Sequence, residues 1–393
     1  MKVYLDHAAT TPCDKRVVEA MLPYFTEEFG NADSQHVFGR DTAKAVAEAR
    51  ETVAKALNCA VNELYFTGSG TEADNWALKG AALQRRERGD HVIISAVEHH
   101  AVLTAADWLA KQGFRVTRLP VDGKGRVSVE SLEQAIDDKT ILVSIMYANN
   151  EVGTIQPVKE LAEVAHRHGA LFHSDCVQAI PYMKIDVKEL GLDLATISAH
   201  KFYGPKGVGA LYIRNGVKMD KLICGGGQER SQRGGTTDTP AVVGMAKALT
   251  ICQAELEQNN RHIAALRDHF VKRVLAEIPF VRFNGDVEHR VPGVANFSFE
   301  FVEGEGILML MDYHGVAVSS GSACSSGSLD PSHVLLAMGV PIEISHGSIR
   351  FSFGKHNTVQ EADYAVDALK DTIDKLRAMS PLFNMKKGEI HNV

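Results

Sequence analysis

The chain has 393 residues, 45% hydrophobic and 23% charged, a globular composition with enough apolar residues for a full core and a length that favours two domains. A net charge of −7 and a pI near 6.2 leave no basic footprint for a nucleic acid, and short clusters such as Arg85-Arg86-Glu87-Arg88 read as solvated helix ends. The N-terminus MKVYLDHAATTP lacks a signal-peptide core and no apolar run is long enough to span a bilayer, so a cytoplasmic protein without membrane contact is expected. Cys13, Cys59, Cys176, Cys224, Cys252 and Cys324 lie far apart with no C-x-x-C pair, which fits neither a disulfide framework nor a zinc ribbon, and no metal site is expected.

From about residue 40 to 215, helical and strand patterns alternate. Arg40 to Leu57 carries Val46, Ala49, Val53 and Leu57 at helical spacing. Glu63 to Thr67 reads as a short strand and Thr71 to Arg88 as a helix. Further strands are expected at 91–95, 141–147, 170–173, 194–198 and 210–214, with helices between most of them. The helix from Pro157 to His168 has proline in its first turn and Gly169 just past its end. Apolar, β-branched strands alternating with helices predict a mostly parallel sheet covered on both faces. After Asp238-Thr239-Pro240 the texture changes. Ala241 to Ile278 is too long for one ordinary helix and is expected to bridge two domains. Strands near Val281, 294–299, Ala317 and 349–353, then a helix from Val359 to Met379, predict a smaller α+β domain. The ending SPLFNMKKGEIHNV reads as an extended tail.

Phe66-Thr-Gly-Ser-Gly-Thr-Glu-Ala-Asp74 joins a strand to a helix. Gly68-x-Gly70-x-x-Ala73, with Asp90 about twenty residues on, matches a dinucleotide fingerprint. The physical content is broader: free N–H groups and a threonine hydroxyl at a helix start suit any phosphate, and a plain turn is a third reading. Ser198-Ala-His-Lys201 follows the apolar strand LATIS, at the strand end where open α/β sheets bind ligands. A lysine there either forms a Schiff base with an aldehyde cofactor or is a solvated turn residue. Asp175, in His173-Ser-Asp-Cys-Val-Gln178, suits a protonated pyridine nitrogen or a helix N-cap. His99, in Glu98-His-His100, is a ring-stacking acid–base group or a surface histidine, and Asn150 a ligand contact or a turn residue. All five signals lie just past the carboxyl ends of expected parallel strands and so converge on one rim. Phosphate site, lysine, aspartate and histidine together describe a pyridoxal phosphate pocket, whereas the nicotinamide reading leaves the lysine and aspartate idle. One stretch remains. VSSGSACSSGS, from Val318 to Ser328, has neither helical nor strand period and places Cys324 in a glycine-serine loop.

With these motifs in hand, the chain resembles a cysteine desulfurase of the NifS/IscS type, in the class V aminotransferase superfamily of fold-type I pyridoxal phosphate enzymes. The resemblance runs from YLDHAATTP to the tail. It is carried by Gly70-Thr-Glu-Ala-Asp-Asn75, Glu98-His-His-Ala-Val-Leu103, Asn149-Asn-Glu-Val-Gly153, Ser198-Ala-His-Lys-Phe-Tyr-Gly-Pro-Lys-Gly207, Arg233-Gly-Gly-Thr236, Ser319-Ser-Gly-Ser-Ala-Cys324 and Ser348-Ile-Arg350-Phe. SSGSAC separates this branch from the one whose cysteine sits in an RxGHHC context. The resemblance implies an α/β fold with a large cofactor-binding domain over 15–255, built on a mostly parallel seven-stranded sheet. A smaller α+β domain over 1–14 and 256–393 would carry the catalytic-cysteine loop at about 318–330.

The roles it implies are specific. Lys201 would carry the cofactor, Asp175 pair with the pyridinium nitrogen, Gln178 with the phenolic oxygen, and His99 stack on the ring. Gly70, Thr71, Ser198 and His200 would hold the phosphate, with Thr236 supplied by the other subunit of a homodimer. Arg350 and Asn150 would take the substrate carboxylate, a task suited to a planar, permanently charged guanidinium. Cys324 would attack the sulfur of L-cysteine, leaving alanine and a persulfide, and a loop of glycine and serine would let it swing toward a sulfur acceptor such as an iron–sulfur scaffold protein.

Two departures from the family pattern stand out: His7 where LDNAATT has asparagine, and Ala32-Asp33 where GNPSS has Pro-Ser. SPLFNM resembles the housekeeping iron–sulfur branch, with a shorter ending. The competing readings are a selenocysteine lyase or another pyridoxal phosphate lyase or aminotransferase, a nicotinamide dehydrogenase, and a non-catalytic sulfur carrier.

Overall fold

A computed structural model describes residues 1–320 and 331–383. The segment 321–330, with the nucleophile expected at Cys324, and the last ten residues of the tail lie outside the described residues.

The central sheet has seven strands in the order Leu64–Thr67, Gly209–Ile213, Leu194–Ser198, Leu171–Asp175, Thr140–Ser144, His91–Ser95 and Arg115–Leu119. The last five run parallel, and Gly209–Ile213 is antiparallel to both neighbours. The five strands between the two edges are buried at every position, because helices cover both faces. The period of two sorts their side chains. Ile93, Val143, Phe172 and Ile197 pack with Val53, Leu161 and Leu249 from the helices Val37–Ala56, Val158–Arg167 and Thr239–Ala254. Val92, Ile94, Leu142 and Leu171 face the other way, against Trp76, Ala77, Val102 and Leu109 of the helices Gly70–Gln84 and His100–Lys111.

The expected strands at 91–95 and 194–198 are found with those limits. The strand expected over 141–147 ends at Ser144, although the Ile145 and Tyr147 N–H groups still donate to the His173 and Asp175 carbonyls at 3.1 and 2.9 Å; the Tyr147 carbonyl turns to accept from the Gln156 N–H at 2.9 Å. Arg115–Leu119 was not anticipated. It is an edge strand with Arg115 and Arg118 exposed, so its apolar signal is weak.

The stretch from Ala241 to Ile278 is two helices, Thr239–Ala254 and Leu256–Glu277, separated by Glu255 at φ −99° and ψ 3°. The second helix packs Leu266, Phe270 and Val274 into a separate core. That core also takes Phe297, Phe299 and Phe351 from an antiparallel sheet ordered Ser348–Ser352, Val294–Phe299, Val281–Asn284. The helices Gly304–Tyr313 and Val359–Met379 close it. The chain's first strand, Val3–Tyr4, pairs in parallel with Val316–Ala317, and Asp6 bridges to Ser352. The N-terminus therefore belongs to this second layer before it crosses to the large sheet. Among the described residues no helix is long and apolar enough to cross a membrane.

Candidate active site

The carboxyl ends of the parallel strands open onto a cavity of about 540 Å³. Each strand end delivers one of the expected residues. His99 follows His91–Ser95, Asn150 follows Thr140–Ser144, Asp175 ends its own strand, and Lys201 closes the single turn Ala199–Lys201 after Leu194–Ser198. Gly70 and Thr71 start the helix after Leu64–Thr67. All of these line the cavity, together with Gln178, Ser198, His200 and Arg350. Thr236 does not: it is exposed on this chain and absent from the lining.

One end of the cavity is built for an anion. Ser69 caps the helix Gly70–Gln84, its Oγ accepting from the Glu72 N–H at 3.1 Å and its carbonyl from the Ala73 N–H at 3.2 Å. The N–H groups of Gly70 and Thr71 are left for a ligand, at the positive end of the helix dipole. A Cβ on Gly70 would stand 3.1 Å from Val177 and 3.3 Å from Ser198, so glycine keeps this entrance open. His200 bonds Thr10 through Nδ1 at 3.1 Å, and Lys206 adds a positive charge to the lining.

The centre carries opposed charges. Lys201 Nζ donates to the carbonyls of Ala8 and Ala9 at 2.6 and 2.8 Å. Asp175 Oδ1 accepts the Val177 N–H at 2.8 Å, so the turn-forming and ligand-facing readings of this residue coexist. Burial pushes the Asp175 carboxyl up, against the pull of that N–H and of Lys201. Asp74, from the helix Gly70–Gln84, also reaches the lining; burial, then the charge of Asp175, holds its carboxyl well above the usual range. His99 Nδ1 accepts the Ala101 N–H at 3.1 Å. A backbone amide can only donate, so that nitrogen is unprotonated and the ring proton sits on Nε2. Burial, then Lys201, lowers this imidazole to about 4 and keeps it neutral at pH 7.

At the far end, Arg350 reaches in from Ser348–Ser352, with 4% of its side chain exposed. Nη2 pairs with Asp6 Oδ1 at 2.9 Å, and Nη1 donates to the Asn150 carbonyl at 3.0 Å. Nε is buried and has no partner among the described residues. A planar guanidinium in the cavity lining is chemically suited to a carboxylate.

Several lining residues were not singled out from sequence: Ala8, Ala9 and Thr10, as well as Asp74, Met146, Val177 and Lys206. The stretch LDHAATT held the signal for the first three. It is a run of small and hydroxyl residues with no apolar period, so its backbone is available to other groups, and Gln178 Nε2 indeed donates to the Ala8 carbonyl at 2.8 Å.

The family model described as aminotransferase class-V matches residues 3–365. The chain is 51% identical over 392 residues to a protein named cysteine desulfurase IscS from Clostridium botulinum, with 99% of each chain covered. Among solved structures it is similar to a NifS-like protein, with a TM-score of 0.90, 39% identity, and 95% of this chain and 100% of that one covered. It is also similar to SspA in complex with cysteine, with a TM-score of 0.81, 33% identity, and 91% and 100% covered.

Proposed function

The chain belongs to the class-V aminotransferase family, among its cysteine desulfurases, and from that premise we propose how its residues convert L-cysteine to L-alanine and pass the sulfur on. The observation that carries the reading is the meeting of Lys201, Asp175, His99 and Arg350 around one cavity at the strand ends.

Pyridoxal 5′-phosphate fits that cavity by the chemistry of its donors. The Gly70 and Thr71 N–H groups with Ser198 and His200 suit a phosphate, and Asp175 suits a protonated ring nitrogen, whose positive charge would offset the cost of ionising a buried carboxyl. Gln178 would take the phenolic oxygen, the neutral ring of His99 would stack on the cofactor, and Lys201 Nζ would bond its aldehyde carbon. When bound, the cofactor supplies an electron-withdrawing ring that takes up the electrons left on the substrate carbon.

Arg350 binds the substrate carboxylate with its guanidinium, and the Asn150 side chain shares that task. This orients the Cα–H toward Lys201, whose Nζ moves the proton once the substrate amine has replaced it. His99 holds its remaining proton on Nε2 for the same exchange. The Cys324 thiolate attacks the substrate sulfur. The carbon–sulfur bond breaks, its electron pair stays with carbon, and a proton closes that carbon to L-alanine while Cys324 keeps the sulfur as a persulfide. Thiol plus L-cysteine thus gives persulfide plus L-alanine, with no outside oxidant.

The same reading takes 15–255 as the cofactor-binding domain and 1–14 with 256–393 as the smaller one. It makes the enzyme a cytoplasmic homodimer, each phosphate site completed by the partner subunit's Thr236, and an iron–sulfur scaffold protein the final acceptor.

The test is Cys324→Ser. A hydroxyl is a poor nucleophile toward sulfur. The variant is expected to bind pyridoxal phosphate and L-cysteine, each followed by absorbance, and to release neither alanine nor sulfide. Alanine formation at the parent rate would remove Cys324 from the mechanism.

A further inference from the structure

Behind the turn that opens the helix Gly70–Gln84 stands an ion pair. Glu72 Oε2 accepts the Gly68 N–H at 2.8 Å, and Arg233 meets the same carboxylate twice, Nε to Oε1 at 2.8 Å and Nη2 to Oε2 at 3.0 Å. Thr67 Oγ1 donates to the Ser69 carbonyl at 2.9 Å, so the turn is held while its Gly70 and Thr71 N–H groups are left for a ligand. The packing is tight: a Cβ on Gly68 would stand 2.9 Å from Glu72 Oε2 and 3.5 Å from Arg233 Nη2. Both side chains are mostly buried, Arg233 at 20% exposure and Glu72 at 15%, and neither lines the cavity.

Arg233 is brought there by a strained path. The chain before it passes through Glu229, Arg230 and Ser231 at φ 47°, 56° and 64°, three successive left-handed residues of which none is glycine. That conformation is unfavourable for an L side chain and persists only where contacts over-determine it. Here they do. Arg50 pairs with the buried Glu229 through bonds of 2.7 and 2.6 Å. Glu229 Oε2 also accepts the Phe66 N–H at 3.0 Å, and Arg230 Nη2 donates to the Leu64 carbonyl at 2.8 Å. The segment is thus fastened to the edge strand Leu64–Thr67, which leads directly into the turn that Arg233 and Glu72 hold.

A carboxylate at this point needs a partner. Glu72 follows Thr71 directly and lies in the same helical turn as the two N–H groups that would receive a dianionic phosphate, so its negative charge, unpaired, would repel that ligand. We propose that Arg233 is a positioning residue for the cofactor phosphate: through its two bonds to Glu72 it fixes the Gly68–Ser69 turn and cancels the carboxylate charge behind the phosphate site. The proposal rests on the reading that Gly70 and Thr71 take the phosphate of pyridoxal phosphate. A residue needed only for folding would affect a cofactor with and without its phosphate alike. Charge cancellation acts on the phosphate alone, and the repulsion released by its loss is screened by salt.

The experiment uses the full chain, freed of cofactor and reloaded with pyridoxal phosphate or with pyridoxal, which lacks the phosphate; binding of each is read by absorbance. R233Q, E72Q and E72Q/R233Q are compared with the parent at low and high salt. R233Q is expected to bind pyridoxal phosphate about tenfold more weakly and pyridoxal within about twofold of the parent, the loss shrinking at high salt. E72Q keeps an acceptor for the Gly68 N–H and leaves the Arg233 charge uncancelled, so it should bind pyridoxal phosphate about threefold more tightly. The double variant, neutral on both sides, should return to within about threefold of the parent. Equal losses for the two ligands in R233Q, unchanged or weaker binding of pyridoxal phosphate in E72Q, or a double variant no better than R233Q would each overturn the proposal. E72Q decides the matter if R233Q does not fold. A parent that binds pyridoxal phosphate no more tightly than pyridoxal would instead defeat the phosphate reading itself.

Discussion

Asp6 holds Arg350 by a 2.9 Å ion pair across 344 residues of sequence. The arginine side chain is 4% exposed and the aspartate 20%. The pair sets the guanidinium against the Asn150 carbonyl, so in the proposed function Arg350 would be aimed before substrate arrives. Pre-set orientation lowers the entropy lost on binding. Asp6→Ala leaves the guanidinium held by the Asn150 carbonyl alone. The KM for L-cysteine is expected to rise about tenfold, equivalent to about 1.4 kcal/mol, with kcat within a few-fold. A fall in KM would mean that Asp6 competes with the substrate for Arg350 instead of supporting it.

Asp175→Asn tests the charge at the centre of the cavity. Asparagine can still accept the Val177 N–H through its carbonyl oxygen, so the turn should survive. It cannot stabilise a ring-nitrogen proton electrostatically. Turnover is expected to fall by orders of magnitude while thermal unfolding moves little. Near-parent kinetics would show that the ring does not lie against this residue.

Much of the site was legible because parallel sheets place ligand groups at strand ends. LATIS, HVIIS and ALF each mark a strand, and Lys201, His99 and Asp175 lie within a few residues of where those runs end. What remained hidden depends on chain crossings that no local pattern encodes. Asp6 meets Arg350 only because Val3–Tyr4 pairs with Val316–Ala317 and Asp6 bridges to Ser352. The break at Glu255 was foreseen from length but not located, since no glycine or proline marks it. Arg115–Leu119 escaped because an edge strand exposes its arginines and loses its apolar run.

Glu98 should give the fold a measurable pH dependence. Its side chain is fully buried; Oε1 accepts from Ser95 Oγ and from the Met146 N–H, and Oε2 has no partner among the described residues. Burial pushes this carboxyl up to about 8. The folded state therefore keeps a proton that the unfolded chain releases above its ordinary pKa near 4.5. The sign follows: stability from this group is full below about 4.5 and declines as pH rises toward about 8, by at most about 1.4 kcal/mol per unit. Glu98→Gln needs no proton and keeps an acceptor for Met146. Urea midpoints at pH 6, 7 and 8 should fall less steeply in the variant than in the parent. Parallel slopes would assign the dependence to other groups.

His7, where the family pattern has asparagine, creates a dependence on Gly354. The His7 ring is buried, edge-on to Tyr4 with ring centres 4.9 Å apart. A Cβ on Gly354 would fall well inside contact distance of His7 Cε1, Nδ1 and Nε2. Gly354 cannot simply move aside, since its N–H donates to Asn357 Oδ1 at 2.8 Å and Asn357 bonds back to the Tyr4 carbonyl at 3.1 Å. Gly354→Ala should therefore destabilise the protein by about 1–3 kcal/mol, the usual cost of overpacking a tight interior. His7→Asn shortens the obstructing side chain. In that background the same Gly354→Ala change should cost at least about 1 kcal/mol less, a coupling that urea denaturation of the two single variants and the double variant reads directly. Additive costs would mean that alanine at 354 is resisted by the backbone around it and not by the histidine ring.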